Sequence, residues 1–452
     1  MENKRTLTEG EPMKLILLFA IPIFFGNLFQ ILYSLIDTKI VGSILGENAL
    51  AAVGSVSTLY NLLAGFVNGL TMGFSVLTAR YYGSKEEEAL KKSVANTISL
   101  GFLITLLLVV GTLAGLGPVL HLLNVPSKQY AMSYEYVGIL ILGMFVTLGY
   151  NICANTLRAI GDSLTPLIYL IVAAVLNVGL DYLFILGFQT GVKGAAYATV
   201  IAQGISVVLC LVRIIRKFPI LHVKRKDFKM EARQVALMMK GGLSMGLMSC
   251  LVNFGTLSLQ TGINTLGTTI IVAHTAARKI FEIWCLPITV IGSAMATYCG
   301  QNYGAGKYDR IRDGLKAALT LGTVWSALVV LMAHTISKPL IHFVASTTNK
   351  EIIYWGSTYL KFDMSFIVIC AFIVILRNSM QGFGDHVTPV VSSFIELVAK
   401  LAFAFIFVGI FDYWGIIWAE PVAWILMVIP LVLKTFRNRE IFPQKRRRKE
   451  ID

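Results

Sequence analysis

Four oxygen-bearing side chains in the first half of the chain have the types and placement to hold a small cation. Asp37 lies in Leu35-Ile36-Asp37-Thr38-Lys39 and Asp181 in Leu176-Asn177-Val178-Gly179-Leu180-Asp181. Both sit in strongly apolar sequence, where an ionisable group is costly and raises a functional hypothesis by default. Asn177 and Asp181 are four residues apart and share one helix face. For helices entering from opposite sides near Thr165 and Val192, Asp181 lies ~24 Å along one axis and Thr199 ~10 Å along the next. Asp37, near the outer end of the first helix, completes a set at one depth. Carboxylate, amide and hydroxyl oxygens at a shared level suit a proton or a hard cation such as Na⁺. The simpler roles are an interfacial carboxylate answered by Lys39 and, for Asp181, a structural hydrogen-bond acceptor.

The second half distributes its buried charge differently. Arg278 and Glu282 are four apart, as are Glu396 and Lys400, so each pair is expected to neutralise itself within one helix. Such pairs serve structure as readily as transport. Lys361 and Asp363 are two apart and face different directions. Laying Gly384-Asp385 on Gly161-Asp162 sets Lys400 opposite Asn177 and Ala404 opposite Asp181, so the carboxylate of the first half has no counterpart there.

Other chemistries find little support. The six histidines, His121, His222, His274, His334, His342 and His386, are scattered, with no His-Glu-x-x-His. Gly300 to Lys307 has one residue too many for a phosphate loop, and Tyr308 stands where Ser or Thr is needed. Cys153, Cys210, Cys250, Cys285, Cys299 and Cys370 fall inside apolar stretches without metal-ligand spacing and read as packing residues. No enzyme, organic cofactor or tightly bound metal is expected.

The elements that must position these residues are membrane helices. Only 14% of the 452 residues are charged, and they gather between apolar stretches of 20 or more. Such stretches cross ~30 Å of hydrocarbon. Twelve occur, at 14–41, 49–79, 93–117, 131–157, 164–187, 193–213, 236–264, 268–299, 314–336, 352–376, 387–411 and 414–434. The first is too long for a signal-peptide core and is expected to remain as a helix. The expected domains are an N-terminal six-helix bundle at 1–213, a basic linker at 214–235, a C-terminal bundle at 236–437 and a basic tail at 438–452.

Lysine and arginine decide orientation. Of 39, thirty fall at the termini and even-numbered connections and four (Lys128, Lys193, Lys338 and Lys350) on the opposite side. The positive-inside rule then puts both termini in the cytoplasm of a cell-membrane protein. Beside a last membrane helix, the tail Lys445-Arg446-Arg447-Arg448-Lys449 is expected to meet anionic lipid rather than nucleic acid.

The chain also repeats itself. Gly161-Asp162-Ser163-Leu164-Thr165-Pro166 returns in the second half as Gly384-Asp385-His386-Val387-Thr388-Pro389. At nearly the same spacing, Tyr82-Gly83 recurs as Tyr303-Gly304, and Gly46 as Gly267. Because each half has an even number of spans, the halves are parallel repeats, an arrangement used by transporters.

With these phrases in hand, the chain resembles the multidrug and toxic compound extrusion (MATE) family, in particular its bacterial DinF-like and MepA-like members. Asp37-Thr38-x-x-Val41-Gly42, Arg80-Tyr81-Tyr82-Gly83, Gly300-Gln301-Asn302-Tyr303-Gly304-Ala305-Gly306-Lys307 and the two Gly-Asp-x-x-Thr-Pro phrases carry the likeness from Ile21 to Trp424. The resemblance implies an all-α fold of twelve transmembrane helices in two pseudo-symmetric six-helix bundles, forming a V around a central cavity. It implies drug–cation antiport by H⁺ or Na⁺, with an ion-coupling cluster at Asp37, Asn177, Asp181 and Thr199, and a first helix that bends at Pro22 and Gly26. The second-half candidates Arg278, Glu282, Asp363, Glu396 and Lys400 depart from the Na⁺-linked branch. The expected function is efflux of amphipathic, cationic solutes by alternating access, by a monomer whose partners are those solutes and membrane lipids. The alternative is a lipid-linked oligosaccharide flippase of the same superfamily, which would require a strongly cationic cavity.

Overall fold

The computed structural model describes residues 6–123 and 125–442, and the described residues outside loops are all helical. Lys4, Arg5 and the basic run Lys445–Lys449 lie outside the described residues. The first half contains α1 (Pro12–Leu45), α2 (Glu47–Ser84), α3 (Glu87–Ala114), the short α4 (Leu116–Leu122), α5 (Ser127–Leu142), α6 (Met144–Ala159), α7 (Leu164–Tyr182) and α8 (Val192–Lys217). The second contains α9 (Ala232–Asn264), α10 (Thr268–Gly304), α11 (Tyr308–Ala345), α12 (Lys350–Ser365), α13 (Ile367–Phe383), α14 (Val387–Ala402), the one-turn α15 (Val408–Phe411) and α16 (Tyr413–Arg437). Among the described residues, ten helical segments are long and apolar enough to cross a membrane. Two further spans are bent pairs, α5–α6 at 41° and α12–α13 at 53°, which brings the number to twelve.

The bends were not legible in the apolar stretches, yet they obey the repeat. Gly143 separates α5 from α6 and Phe366 separates α12 from α13, and the two breaks coincide when Gly384 is laid on Gly161. Each half also carries one π-helical turn, Leu183–Gly187 after α7 and Phe403–Phe407 after α14. Such turns often sit beside functional positions in otherwise regular helices.

The repeated Gly-Asp-x-x-Thr-Pro phrase is a helix-to-helix joint. Gly161 (φ 92°) and Gly384 (φ 100°) adopt the left-handed conformation that ends α6 and α13, where a side chain would be strained. The next helix is then started by the aspartate. Asp162 Oδ1 accepts from the backbone N–H of Leu164 (3.1 Å) and Thr165 (3.0 Å), and its Oδ2 accepts from Thr165 Oγ1 (2.6 Å). Asp385 repeats this with Val387 N (3.1 Å), Thr388 N (3.0 Å) and Thr388 Oγ1 (2.7 Å). Pro166 and Pro389 fall in the first helical turn, where a missing N–H costs nothing.

The compact units do not divide in the polar connection. One includes Leu18–Cys250, and the other includes Leu7–Leu17 with the chain from Leu251 onward. Helix α1 therefore starts in the second unit and continues in the first, while α9 does the reverse. In the first unit, the opening half of α9 lies directly on α2. A Cβ on Gly73 would stand 2.3 Å from the Gly241 carbonyl oxygen, and one on Gly69 would stand 2.6 Å from that of Met245. This Gly-x-x-x-Gly face lets two backbones meet, as membrane helices require where small residues replace side-chain packing. Asn96 Nδ2 on α3 donates to Gln234 Oε1 at 3.2 Å and ties the opening of α9 to a second helix of the same unit.

In the second unit, the Gly300–Lys307 phrase binds the segment that leads into α1. Leu7 N donates to Gln301 Oε1 at 2.8 Å, Asn302 Nδ2 donates to Leu7 O at 3.1 Å, and Lys307 Nζ donates to Thr8 O at 3.0 Å. The phrase is a backbone clamp. Helix α1 runs through Pro22 without interruption, and the Gly26 position lies against Leu167 and Leu170 of α7.

Candidate functional site

The first unit brings Asp37, Asn177, Asp181 and Thr199 together from α1, α7 and α8. Asp181 is fully buried and Asn177 nearly so, whereas Asp37 and Thr199 are half-buried. Asn177 Nδ2 donates weakly to Thr199 Oγ1 at 3.4 Å. The carboxyl of Asp37 faces that of Asp181 within interaction range. Both oxygens of Asp181, Oδ1 of Asp37 and Oδ1 of Asn177 are buried without a hydrogen-bond donor. Buried acceptors are nearly always satisfied, so four such oxygens without donors leave room in this cluster for something that donates or carries positive charge.

No ion pair is made by Asp37 or Asp181 among the described residues. Lys39, exposed and two residues along α1, does not answer Asp37. A protonated carboxyl facing an ionised one, or a cation between the two, resolves the repulsion, since a hydrogen bond between carboxyls needs one proton.

A tyrosine shell escaped the sequence reading. Tyr33 and Tyr136 are neighbours of Asp37, Tyr60 is a neighbour of both tyrosines, and Tyr136 is near Asp181 as well. Tyr60 Oη lies 3.3 Å from Thr147 Oγ1, which donates to Gln203 Oε1 at 2.9 Å. The hydroxyls extend the polar site from the carboxylate pair to α6 and α8. Isolated tyrosines in apolar stretches carry no spacing signal, so only the fold reveals them.

The second unit uses its charges otherwise. Arg278 Nη1 contacts Glu420 Oε1 at 3.3 Å, while Glu282 is exposed and forms no ion pair among the described residues. The expected Arg278–Glu282 pair is thus replaced by a link from α10 to α16, where Glu420 is shielded from water. The expected Glu396–Lys400 pair is present at 2.9 Å. Lys400 Nζ also reaches Glu420 Oε1 at 3.1 Å, and Arg377 Nη2 reaches Glu396 Oε2 at 3.3 Å. The result is one alternating run, Arg278–Glu420–Lys400–Glu396–Arg377, across α10, α16, α14 and α13. Asp363 is fully buried beside Tyr359, and neither of its oxygens has a hydrogen-bond partner.

Arg377 and Glu420 were missed as site residues. Arg377 follows the apolar run of α13 closely enough to pass for a flanking charge. Glu420, in Trp418-Ala419-Glu420-Pro421, was the findable one, being an acid deep in the last apolar stretch.

Comparison with known proteins now settles the family. The MatE family model matches residues 22–183 and again 245–406, two segments in the same register as the Gly161 and Gly384 joints. The chain belongs to the MatE family. As a MATE transporter it is 27% identical over 417 residues to the "Probable multidrug resistance protein YoeA" of Bacillus subtilis (strain 168), covering 90% of this chain and 86% of that one. It is 21% identical over 422 residues to the "Multidrug export protein MepA" of Staphylococcus aureus (strain MSSA476), covering 93% of each. Its fold matches a solved "multidrug resistance MATE family transporter of the MOP superfamily" in an outward-facing conformation, with a TM-score of 0.89, 21% identity and coverage of 97% of this chain and 98% of that one.

Proposed function

We propose that this MATE protein is a secondary-active exporter that moves amphipathic, cationic organic solutes out of the cell against an inward flow of H⁺ or Na⁺. The observation that carries the reading is the Asp37–Asp181 carboxyl pair, three of whose oxygens are buried without a donor. An ion from outside binds this pair, with Asn177 and Thr199 supplying further oxygens, and favours the inward-open state. Its departure to the cytoplasm, where both termini lie, returns the protein to the outward-open state. Coupling energy equals the difference in ion affinity between the two states. The family relationship and the multidrug names of YoeA and MepA support the solute class.

Reconstitution into liposomes with a fluorescent lipophilic cation tests the proposal. Imposed pH and Na⁺ gradients are applied separately to the wild type and to Asp181→Asn. Gradient-driven movement in the wild type and its loss in the variant are expected. Absence of movement under either gradient, for several such cations, would overturn the reading.

A further inference from the structure

Lys400 is 2% exposed, deep within a membrane-spanning helix, and its ammonium sits between two carboxylates, Glu396 Oε1 at 2.9 Å and Glu420 Oε1 at 3.1 Å. Space for it is reserved on α9. A Cβ on Gly255 would stand 2.9 Å from Lys400 Cδ and 3.6 Å from Lys400 Cβ. The surroundings are closed by other charges. Arg278 shares Oε1 of Glu420 with Lys400, and Arg377 takes Oε2 of Glu396, so each carboxylate is shared between two cations.

The repeat gives this arrangement a counterpart. With Gly384 laid on Gly161, Lys400 takes the place of Asn177, on equivalent helices each followed by a π-helical turn. In the first unit that level has carboxyls with no cationic side chain beside them. In the second it has carboxylates joined by a lysine. We infer that Lys400 is a tethered cation, which fills in the second unit the role that the first unit leaves to an exchangeable ion. The inference rests on the ion-coupled export proposed above and extends it: the Glu396–Glu420 site is a cation site permanently occupied by the chain itself. Ions from solution then exchange at the first unit and not at this pair.

A lysine acting as a resident ion leaves a definite trace when it is shortened. Lys400→Ala should vacate an ammonium-sized space between two carboxylates, and a small alkylammonium should re-enter it. We expect Lys400→Ala in detergent to lose several degrees of Tm. Added n-propylammonium chloride should restore most of the loss, while n-propanol or extra NaCl at equal concentration should not. Lys400→Met, which fills the stem without the charge, should be destabilised and insensitive to propylammonium.

A Lys400→Met protein as stable as the wild type would overturn the inference, because the stem alone would then suffice. Equal rescue of Lys400→Ala by propanol would overturn it as well. Should Lys400→Ala fail to fold, Lys400→Met/Glu420→Gln replaces it. That double variant should lose less Tm than the Lys400→Met and Glu420→Gln losses summed, and simple addition of the two losses would refute the pairing. Each readout is a melting temperature, so it stands whether or not the wild type exports any given solute.

Discussion

Arg278 pairs with Glu420 on α16, at 3.3 Å, and not with Glu282 one turn along its own helix. The choice follows from where each carboxylate lies. Glu420 is enclosed beside Lys400, while Glu282 points to an exposed position and gains little from an ion pair.

Replacing Glu420 by Gln should therefore be severe, since Arg278 and Lys400 both lose a buried partner. A loss of about 3–5 kcal/mol is expected for breaking a buried pair from one side. Glu282→Gln should change stability by less than about 0.5 kcal/mol. Thermal or chemical unfolding of the purified variants measures both, and comparable losses would show that burial does not govern this network.

Within the first unit, Asp181→Asn and Asp37→Asn should abolish gradient-driven transport while leaving the protein folded, because neither carboxylate holds an ion pair that packing depends on. Lys39→Ala should leave transport at the wild-type level. A transport defect in Lys39→Ala matching that of Asp37→Asn would mean the lysine is the true counterion of Asp37.

The two aspartates of the repeated joint should behave alike. Asp162→Ala and Asp385→Ala each remove acceptors for two backbone amides and one hydroxyl at a helix start. Each should cost about 1–2 kcal/mol, the usual range for a lost helix cap. The assay is Tm in detergent. Loss of transport without loss of Tm would point to a direct role for the phrase in the transport cycle.

At the α2–α9 contact, Gly73→Ala would press a methyl against the Gly241 backbone, and the helices must move apart. A cost of about 1–3 kcal/mol is expected, as for overpacking in a tight core. Gly179→Ala on α7 meets nothing within 4 Å and should be neutral or slightly stabilising. A differential scan of the two variants side by side decides the matter.

Apolar length and charge placement made the spans legible, and the recurring Gly-Asp-x-x-Thr-Pro phrase made the halves legible, because both depend on local composition. Asp37, Asn177, Asp181 and Thr199 could be grouped because helical rise converts sequence position into depth. The bends at Gly143 and Phe366 could not be read, since the stretches at 131–157 and 352–376 each run on as one span-length segment across the break. Glu282 was set beside Arg278 for its spacing, but spacing does not tell which face of α10 is enclosed. Helix packing decides that, through residues such as Glu420, which lies 142 positions away.

The handover of α1 and α9 has a consequence for how this duplicated polypeptide can be taken apart. A cut in the polar connection near Pro219 follows the repeat and looks natural, yet it would sever the first unit from the half-helix that covers Gly69 and Gly73. The second unit would lose the Leu7–Leu17 segment that Gln301, Asn302 and Lys307 grip at its start. Separately produced halves would each bear an uncovered seam and would be expected to need co-synthesis to mature. Duplication gave this chain two copies of a sequence, but the boundary of the repeat is not the boundary of packing, because α1 and α9 each divide between the units.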